Sequence, residues 1–264
     1  MASGLLGSEY REWTMFIDLA HASGVGVGAP DASTAPAPVV GVNDVSLARE
    51  LRPLTLGDVL RAQRRGAEAL DTRSAEAFAD GHLVGCTHIA LDAGFARLAE
   101  TLLSPDRPIV LITAPGREHE AAARLSGVGL ERVHGFLAGG IEAVRHLVAL
   151  VKHPGRMSSA VLRWRLTRGP LTMIDVRAAW EWRRKAMPGS VNIPLPELRK
   201  RLDDIPAGPV VIMCRTGEQS STAASLLEQI GRMNVVCLAG GLAAWQALDQ
   251  TEWTGPARLS SPAA

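Results

Sequence analysis

The chain repeats itself once. Residues 71–91, DTRSAEAFADGHLVGCTHIAL, align without a gap with residues 175–195, DVRAAWEWRRKAMPGSVNIPL. Identities fall at Asp71/Asp175, Arg73/Arg177, Ala75/Ala179, Gly85/Gly189, Ile89/Ile193 and Leu91/Leu195. A second anchor, FLAGGIEAV at 136–144 against CLAGGLAAW at 237–245, recurs at nearly the same separation with its LAGG tetrapeptide intact. A period of about 100 residues is too long for a solenoid, whose units run to about 20–50, and it matches one globular domain. The expectation is two copies of one domain, residues 51–152 and 153–254, between an N-terminal arm (1–50) and a tail (255–264).

Each copy alternates apolar runs with helical stretches. EAL and LTMI lead into Asp71 and Asp175; IVLIT (109–113) and VVIMC (210–214), VHGFL and VVCL, and the NIPL-like segments supply further strands. Periodicity predicts helices over 56–65, 74–79, 118–125, 159–167, 178–185 and 221–230. This alternation makes an α/β fold in which each domain is a mainly parallel sheet with helices on both faces. Ligands of such sheets bind at the carboxyl ends of the strands. Residues 8–21 predict one amphipathic helix with Tyr10, Trp13, Phe16 and Ile17 on a face; residues 22–42, rich in Gly, Ala and Pro, predict a linker, and the tail is expected to be disordered.

Composition narrows the functions open to this fold. Twenty-eight basic and 27 acidic residues leave a formal charge of +1, which supplies no field for nucleic acid. Glu9, Arg11, Glu12 and Asp18 interrupt the start where a signal peptide would need an apolar stretch, and no run approaches the roughly 20 residues of a membrane span. A cytoplasmic protein with no membrane and no nucleic-acid partner is expected. Cys86, Cys214 and Cys237 have no paired spacing, which argues against a disulfide scaffold or a cysteine-based zinc site and suits a reducing compartment. Seven histidines show no metal-binding spacing, so no metal and no cofactor are expected.

Cys214 stands where chemistry is expected. In VVIMCRTGEQSSTAASLLEQI a strand runs into a short Gly-containing loop and then a helix. Backbone N–H groups and the positive end of a helix dipole converge there. Such a cradle stabilises a thiolate, the species that attacks sulfur, phosphorus or carbon. This places a reachable thiol at the mouth of the loop.

The paired DxR…PGxxNIP and CxxGxxS…LAGGxxAW signatures resemble the rhodanese sulfurtransferase family in its tandem form, over about residues 52–250. The resemblance implies five-stranded parallel α/β domains in which the loop cysteine accepts a sulfane sulfur as a persulfide and passes it on. The matching nucleophile is Cys214, and the loop that would cradle the persulfide is Arg215, Thr216, Gly217, Glu218, Gln219 and Ser220. The implied partners are a small sulfur-containing anion such as thiosulfate, or a thiol persulfide, with a thiol or protein as acceptor. Aligning IVLIT with VVIMC puts Thr113 opposite Cys214 and Gly116 opposite Gly217. The first copy keeps the loop without the thiol, and a threonine hydroxyl cannot carry a sulfane sulfur; it is expected to be non-catalytic, a fold retained without its site.

Other assignments follow from local chemistry. Arg215 suits an anionic donor or leaving group, Gly217 frees the backbone to aim amides at sulfur, and Ser220 and Ser221 are expected to cap the next helix. Glu218 puts a negative charge in the loop and Gln219 stands where many family members carry a second basic residue, which shifts the expected donor from thiosulfate toward persulfides. Asp175 and Arg177 are read as an ion pair bracing the loops, His82 as structural, and Cys237 and Cys86 as packing thiols, with a resolving role for Cys237 as the alternative. Arg183, Arg184 and Lys185 are read as a solvated helix face. Two other functions remain open at this stage: a Cys-dependent phosphatase or arsenate reductase, against which Gln219 and Ser220 count because such loops end in an Arg, and a non-catalytic binding module.

Overall fold

The computed structural model describes residues 51–249, so the helix and arm expected before residue 51 and the tail after residue 254 lie outside the described residues. The first half runs β1 (Pro53–Leu54), α1 (Leu56–Arg64), β2 (Glu68–Asp71), α2 (Ala75–Ala79), β3 (His82–Leu83), β4 (Thr87–His88), α3 (Phe95–Leu102), β5 (Ile109–Ile112), α4 (Glu118–Ser126) and β6 (Val133–Leu137). After a 3-10 turn at Gly140–Ala143 the second half runs β7 (Val151–Lys152), β8 (Gly155–Met157), α5 (Ser159–Leu166), β9 (Thr172–Asp175), α6 (Ala179–Arg184), β10 (Ser190–Asn192), two 3-10 turns, β11 (Val210–Met213), α7 (Glu218–Gln229), β12 (Val235–Leu238) and α8 (Gly241–Asp249).

Two five-stranded sheets result, ordered β1-β6-β5-β2-β4 and β10-β9-β11-β12-β8, and every pairing within them is parallel. Taken in chain order the two topologies are identical, as the repeat requires. The central strands IVLI (β5), VVIM (β11) and VVCL (β12) are buried at every residue. Continuous apolar runs are what a strand covered on both faces needs. The edge strands β1 and β8 carry no such run, and periodicity gave no sign of them. Helices α3 and α8 also went unread; α8 starts on Gly241 and is built of small and apolar residues without a charged face.

The halves meet along α7. Its residues Ser220–Leu227 are all buried, because one side packs on β11 and β12 and the other on β4 and α2 of the first half. The run SSTAAS at 220–225 makes this double coverage feasible: small side chains let backbones approach on both sides. β4 is an edge strand, and its exposed main-chain donors would be a liability. Here the His88 N–H donates to Ser225 Oγ at 2.9 Å. At the far end of the helix Gln229 Nε2 donates to Thr87 Oγ1 at 2.8 Å, and His82 Nε2 lies 3.1 Å from Glu228 Oε2. His82 is 1% exposed and stacks on Phe78 with centroids 3.9 Å apart, so it serves the junction.

Candidate active site

Cys214 follows directly on β11, whose Met213 lies opposite Asp175 of β9. Its Sγ accepts the Gly217 N–H at 3.1 Å and the Ser220 N–H at 3.4 Å, and as a thiol it donates to Ser220 Oγ at 3.7 Å. The amides therefore converge on sulfur. The expected loop is shorter than its six residues, however. Only Arg215, Thr216 and Gly217 are non-helical, while Glu218, Gln219 and Ser220 form the first turn of α7, which starts three residues before the predicted Ser221.

That early start corrects two expectations. Neither Ser220 nor Ser221 caps the helix: the N-cap is Gly217, with φ 107°, and no side chain caps it. Ser220 Oγ instead donates to the Gly217 carbonyl at 2.9 Å. First-turn N–H groups have no intrahelical partner, so leaving the cap open keeps them free for the sulfur. The thiol is also not at the mouth of the loop. Cys214 is 1% exposed, because the first turn of α7 wraps over it. Arg215, Thr216 and Gln219 are exposed around it.

A contact that sequence reasoning missed shapes this cradle from behind. At the N-terminus of α8, Leu242 N–H donates to the Cys214 carbonyl at 2.8 Å and Ala243 N–H to the Arg215 carbonyl at 3.0 Å. With its carbonyls drawn that way, the loop turns its amides toward Sγ. Gly241 must be glycine, since a Cβ there would lie 2.5 Å from the Cys214 carbonyl oxygen. The recurrence of LAGG at 137–140 and 238–241 is the trace this contact leaves in the sequence.

Asp175 and Arg177 bond to each other, and neither is among the hydrogen-bond partners of the sulfur. Arg177 donates Nη2 to Asp175 Oδ2 at 2.6 Å and to the Lys185 carbonyl at 2.9 Å, with the aspartate fully buried. Asp71 and Arg73 repeat the arrangement, with Arg73 Nη2 donating to the Gly81 carbonyl at 2.8 Å. The pair closes the strand-to-helix connection in both halves. Arg183, Arg184 and Lys185 are exposed. Glu218 does not point at the sulfur in the way a loop charge was expected to: its Oε2 accepts the Ala75 N–H of the first half at 3.2 Å. Burial first, then the neighbouring Glu76 carboxylate, pushes its carboxyl above the ordinary range.

The other two cysteines are buried and free. Burial, with the nearby Cys214 next in size, pushes the Cys237 thiol up to about 12, and burial pushes Cys86 well above its ordinary value. Cys237 donates to the Ser220 carbonyl at 3.3 Å. A groove of about 480 Å3 opens between the two halves beside the first turn of α7, with Asp92, Arg97, Trp180, Glu181, Glu197 and Glu218 in its walls. No group of three or more His, Cys, Asp or Glu among the described residues is placed to hold a metal ion, and no helix among them is long and apolar enough to cross a membrane.

The model of the rhodanese-like domain matches the chain twice, over residues 55–147 and 158–248. The chain belongs to the rhodanese-like family. Its tandem rhodanese-like domains are similar to a protein named "Sulfurtransferase" from Allochromatium vinosum, 34% identical over 74 residues, which are 28% of this chain and 69% of the relative. They are also similar to "Adenylyltransferase and sulfurtransferase uba4" from Ogataea parapolymorpha, 38% identical over 76 residues, and to "Putative sulfur carrier protein YrkF" from Bacillus subtilis, 32% identical over 76 residues. Each of these matches takes in 28% of this chain, but only 19% of the first relative and 41% of the second. What the rhodanese-like domains share with them is therefore about one domain's length.

Proposed function

We propose that the chain is a sulfurtransferase that moves a sulfane sulfur from thiosulfate or a low-molecular-weight persulfide to a thiophilic acceptor through a persulfide on Cys214. The observation that carries this reading is the convergence of the Gly217 and Ser220 amides on Cys214 Sγ at the uncapped start of α7. The Cys214 thiolate attacks the outer sulfur of the donor, a sulfur–sulfur bond forms on the enzyme, and sulfite or a thiolate departs with the electron pair of the bond that breaks. The loop amides of Arg215 to Ser220, fixed before charge arrives, then hold the terminal sulfur as an oxyanion hole holds oxygen. Cyanide, sulfite or another thiolate attacks that sulfur and regenerates the Cys214 thiolate.

The division of labour we infer gives residues 51–152 a non-catalytic role, with Thr113 in place of the thiol, and residues 153–254 the chemistry. Carboxylates of Asp92, Glu181, Glu197 and Glu218 outnumber Arg97 in the groove beside the loop, which disfavours the compact thiosulfate dianion and favours a thiol persulfide, whose charges are spread over a larger molecule. The relatives named for sulfur transfer and sulfur carriage support a thiol or a small protein as acceptor. A free-thiol mechanism needs a reducing compartment, which the cytoplasm supplies.

Incubating the full chain with glutathione persulfide or thiosulfate and weighing it intact tests this. One added sulfur atom is expected, removed by cyanide and absent in Cys214→Ser. No added sulfur from either donor would overturn the proposal, and hydrolysis of a phosphate ester dependent on Cys214 would replace it.

A further inference from the structure

Helix α7, whose first turn holds the sulfur, is fastened to the other domain along its whole length. His82 and Thr87 grip its last turn through Glu228 and Gln229, and His88 meets Ser225 in its middle. At its start the link is Glu218 Oε2 to the Ala75 N–H, between residues 143 apart in sequence. Glu218 lies between the two residues whose amides meet Cys214 Sγ: Gly217 precedes it and Ser220 comes two positions later. Because Glu218 joins the peptide units that carry the two amides, a rotation of its backbone moves one relative to the other and ends their convergence on the sulfur. Gly217, with φ 107° and no side chain to cap the helix, gives the turn little resistance of its own.

We propose that Glu218 is a positioning residue through which the first domain holds the Gly217 and Ser220 amides on the Cys214 sulfur. This rests on Cys214 being the nucleophile and gives the domain whose loop carries Thr113 in place of that cysteine a part in the reaction. The assignment is sharp because the charge of Glu218 works the other way. A carboxylate near an anionic sulfur opposes it, so the charge of Glu218 and its tether to Ala75 act in opposite directions. Removing the charge alone speeds thiolate chemistry; removing the tether slows it.

The test is the rate of iodoacetamide alkylation at Cys214 in the full chain, assigned by peptide mass spectrometry. Glu218→Gln keeps an oxygen to accept from Ala75 and loses the charge, so it is expected to react at least as fast as the parent. Glu218→Ala loses both and is expected to fall about fivefold below Glu218→Gln, the factor that one lost hydrogen bond accounts for. Ala75→Pro cuts the same link from the far side without touching the loop. It removes only the donor, at the first helical position, where proline is accommodated, and after Ser74, whose ψ of 160° suits a following proline. With the charge retained, it is expected to slow alkylation at least as much as Glu218→Ala, and the double variant is expected to be no slower than Ala75→Pro alone. Alkylation in Glu218→Ala as fast as in Glu218→Gln, or an unchanged rate in Ala75→Pro, would overturn the inference. Because alkylation needs no sulfur donor, a parent protein that takes up no sulfane sulfur sinks the sulfurtransferase reading and leaves this comparison standing.

Discussion

In the first domain β5 ends at Ile112, Thr113 follows, and α4 begins at Glu118 behind Arg117, an N-cap with φ −102°. In the second, β11 ends at Met213, Cys214 follows, and α7 begins at Glu218 behind Gly217, an N-cap with φ 107°. The aligned glycines Gly116 and Gly217 are both left-handed, so the loop is common property. What differs is how tightly the helix closes on the first loop residue. α7 starts one aligned position sooner, and behind it Gly241 would bring a Cβ to 2.5 Å from the Cys214 carbonyl oxygen, where Gly140 would bring one to 3.4 Å from that of Thr113. The comparison teaches that a shared loop can be closed in two ways: around Cys214 the convergence of amides goes with a glycine cap and a close approach from the following helix as much as with the thiol.

The strongest way to break that comparison is to move the thiol. In a Cys214→Ser background, Thr113→Cys is expected to take up no cyanide-removable sulfur by intact mass spectrometry, because in the first loop the helix starts one aligned position later and the Arg117 N–H is spent on the Ala114 carbonyl at 3.1 Å. Uptake there would show that the thiol alone divides the two domains.

Next in size is a paired glycine test. Gly140→Ala and Gly241→Ala each force a left-handed residue, at about 1–2 kcal/mol. Gly241→Ala adds a collision with the Cys214 and Arg215 carbonyls, so its total in urea unfolding is expected to reach about 3 kcal/mol or more. Sulfur uptake should fall at least about tenfold in Gly241→Ala, since loss of one oxyanion-hole donor costs about that or more, and hold in Gly140→Ala. Equal losses would mean that the two LAGG turns play the same part.

Reagent selectivity sharpens the contrast further. At about pH 8, Cys214 is expected to be alkylated by iodoacetamide at least about tenfold faster than Cys86 or Cys237, whose thiols stay protonated because burial raises them. A bulky maleimide should lose much of that advantage, given the 1% exposure of Cys214. Peptide mapping after timed quenching reads both.

The smallest effect concerns the residues that end the equivalent edge strands. Asn192 donates Nδ2 to the carbonyls of Asp175 and Arg177, both at 2.9 Å, while His88, its counterpart, lies with Nε2 2.9 Å from the Arg73 carbonyl. Burial pushes His88 below its ordinary value of 6.5. A histidine kept neutral in the fold gains its proton on unfolding, so its stability contribution is complete above about pH 6.5 and is lost as pH falls through the lower folded value. His88→Asn is expected to flatten the decline of melting temperature between about pH 7 and pH 5. An unchanged slope would show that His88 does not carry the acid sensitivity of the junction.

Much of this is legible in the sequence. The apolar runs at 109–112 and 210–213 announced buried parallel strands, because a strand covered on both faces has no room for alternation. The edge strands β1 and β8 were not legible, since two or three residues whose pairing is set by a neighbour leave no periodic trace. Cys214 was found from its strand–loop–helix setting. The start of α7 was misjudged by three residues because Glu218, Gln219 and Ser220 read as loop chemistry and the glycine cap in front of them gives no side-chain signal.

The sequence by itself determined the duplication, the α/β class, the position of the thiol and its loss at Thr113, for these rest on residue identity and on order over a few neighbours. Only the tertiary structure decided that the thiol lies under a helical turn, that α8 pulls the loop carbonyls away from it, and that Glu218 turns from the sulfur toward Ala75. Those outcomes hang on contacts between segments distant in the chain, such as the 143 residues that separate Ala75 from Glu218. Short-range patterns carry no record of such contacts, since packing alone brings the segments together.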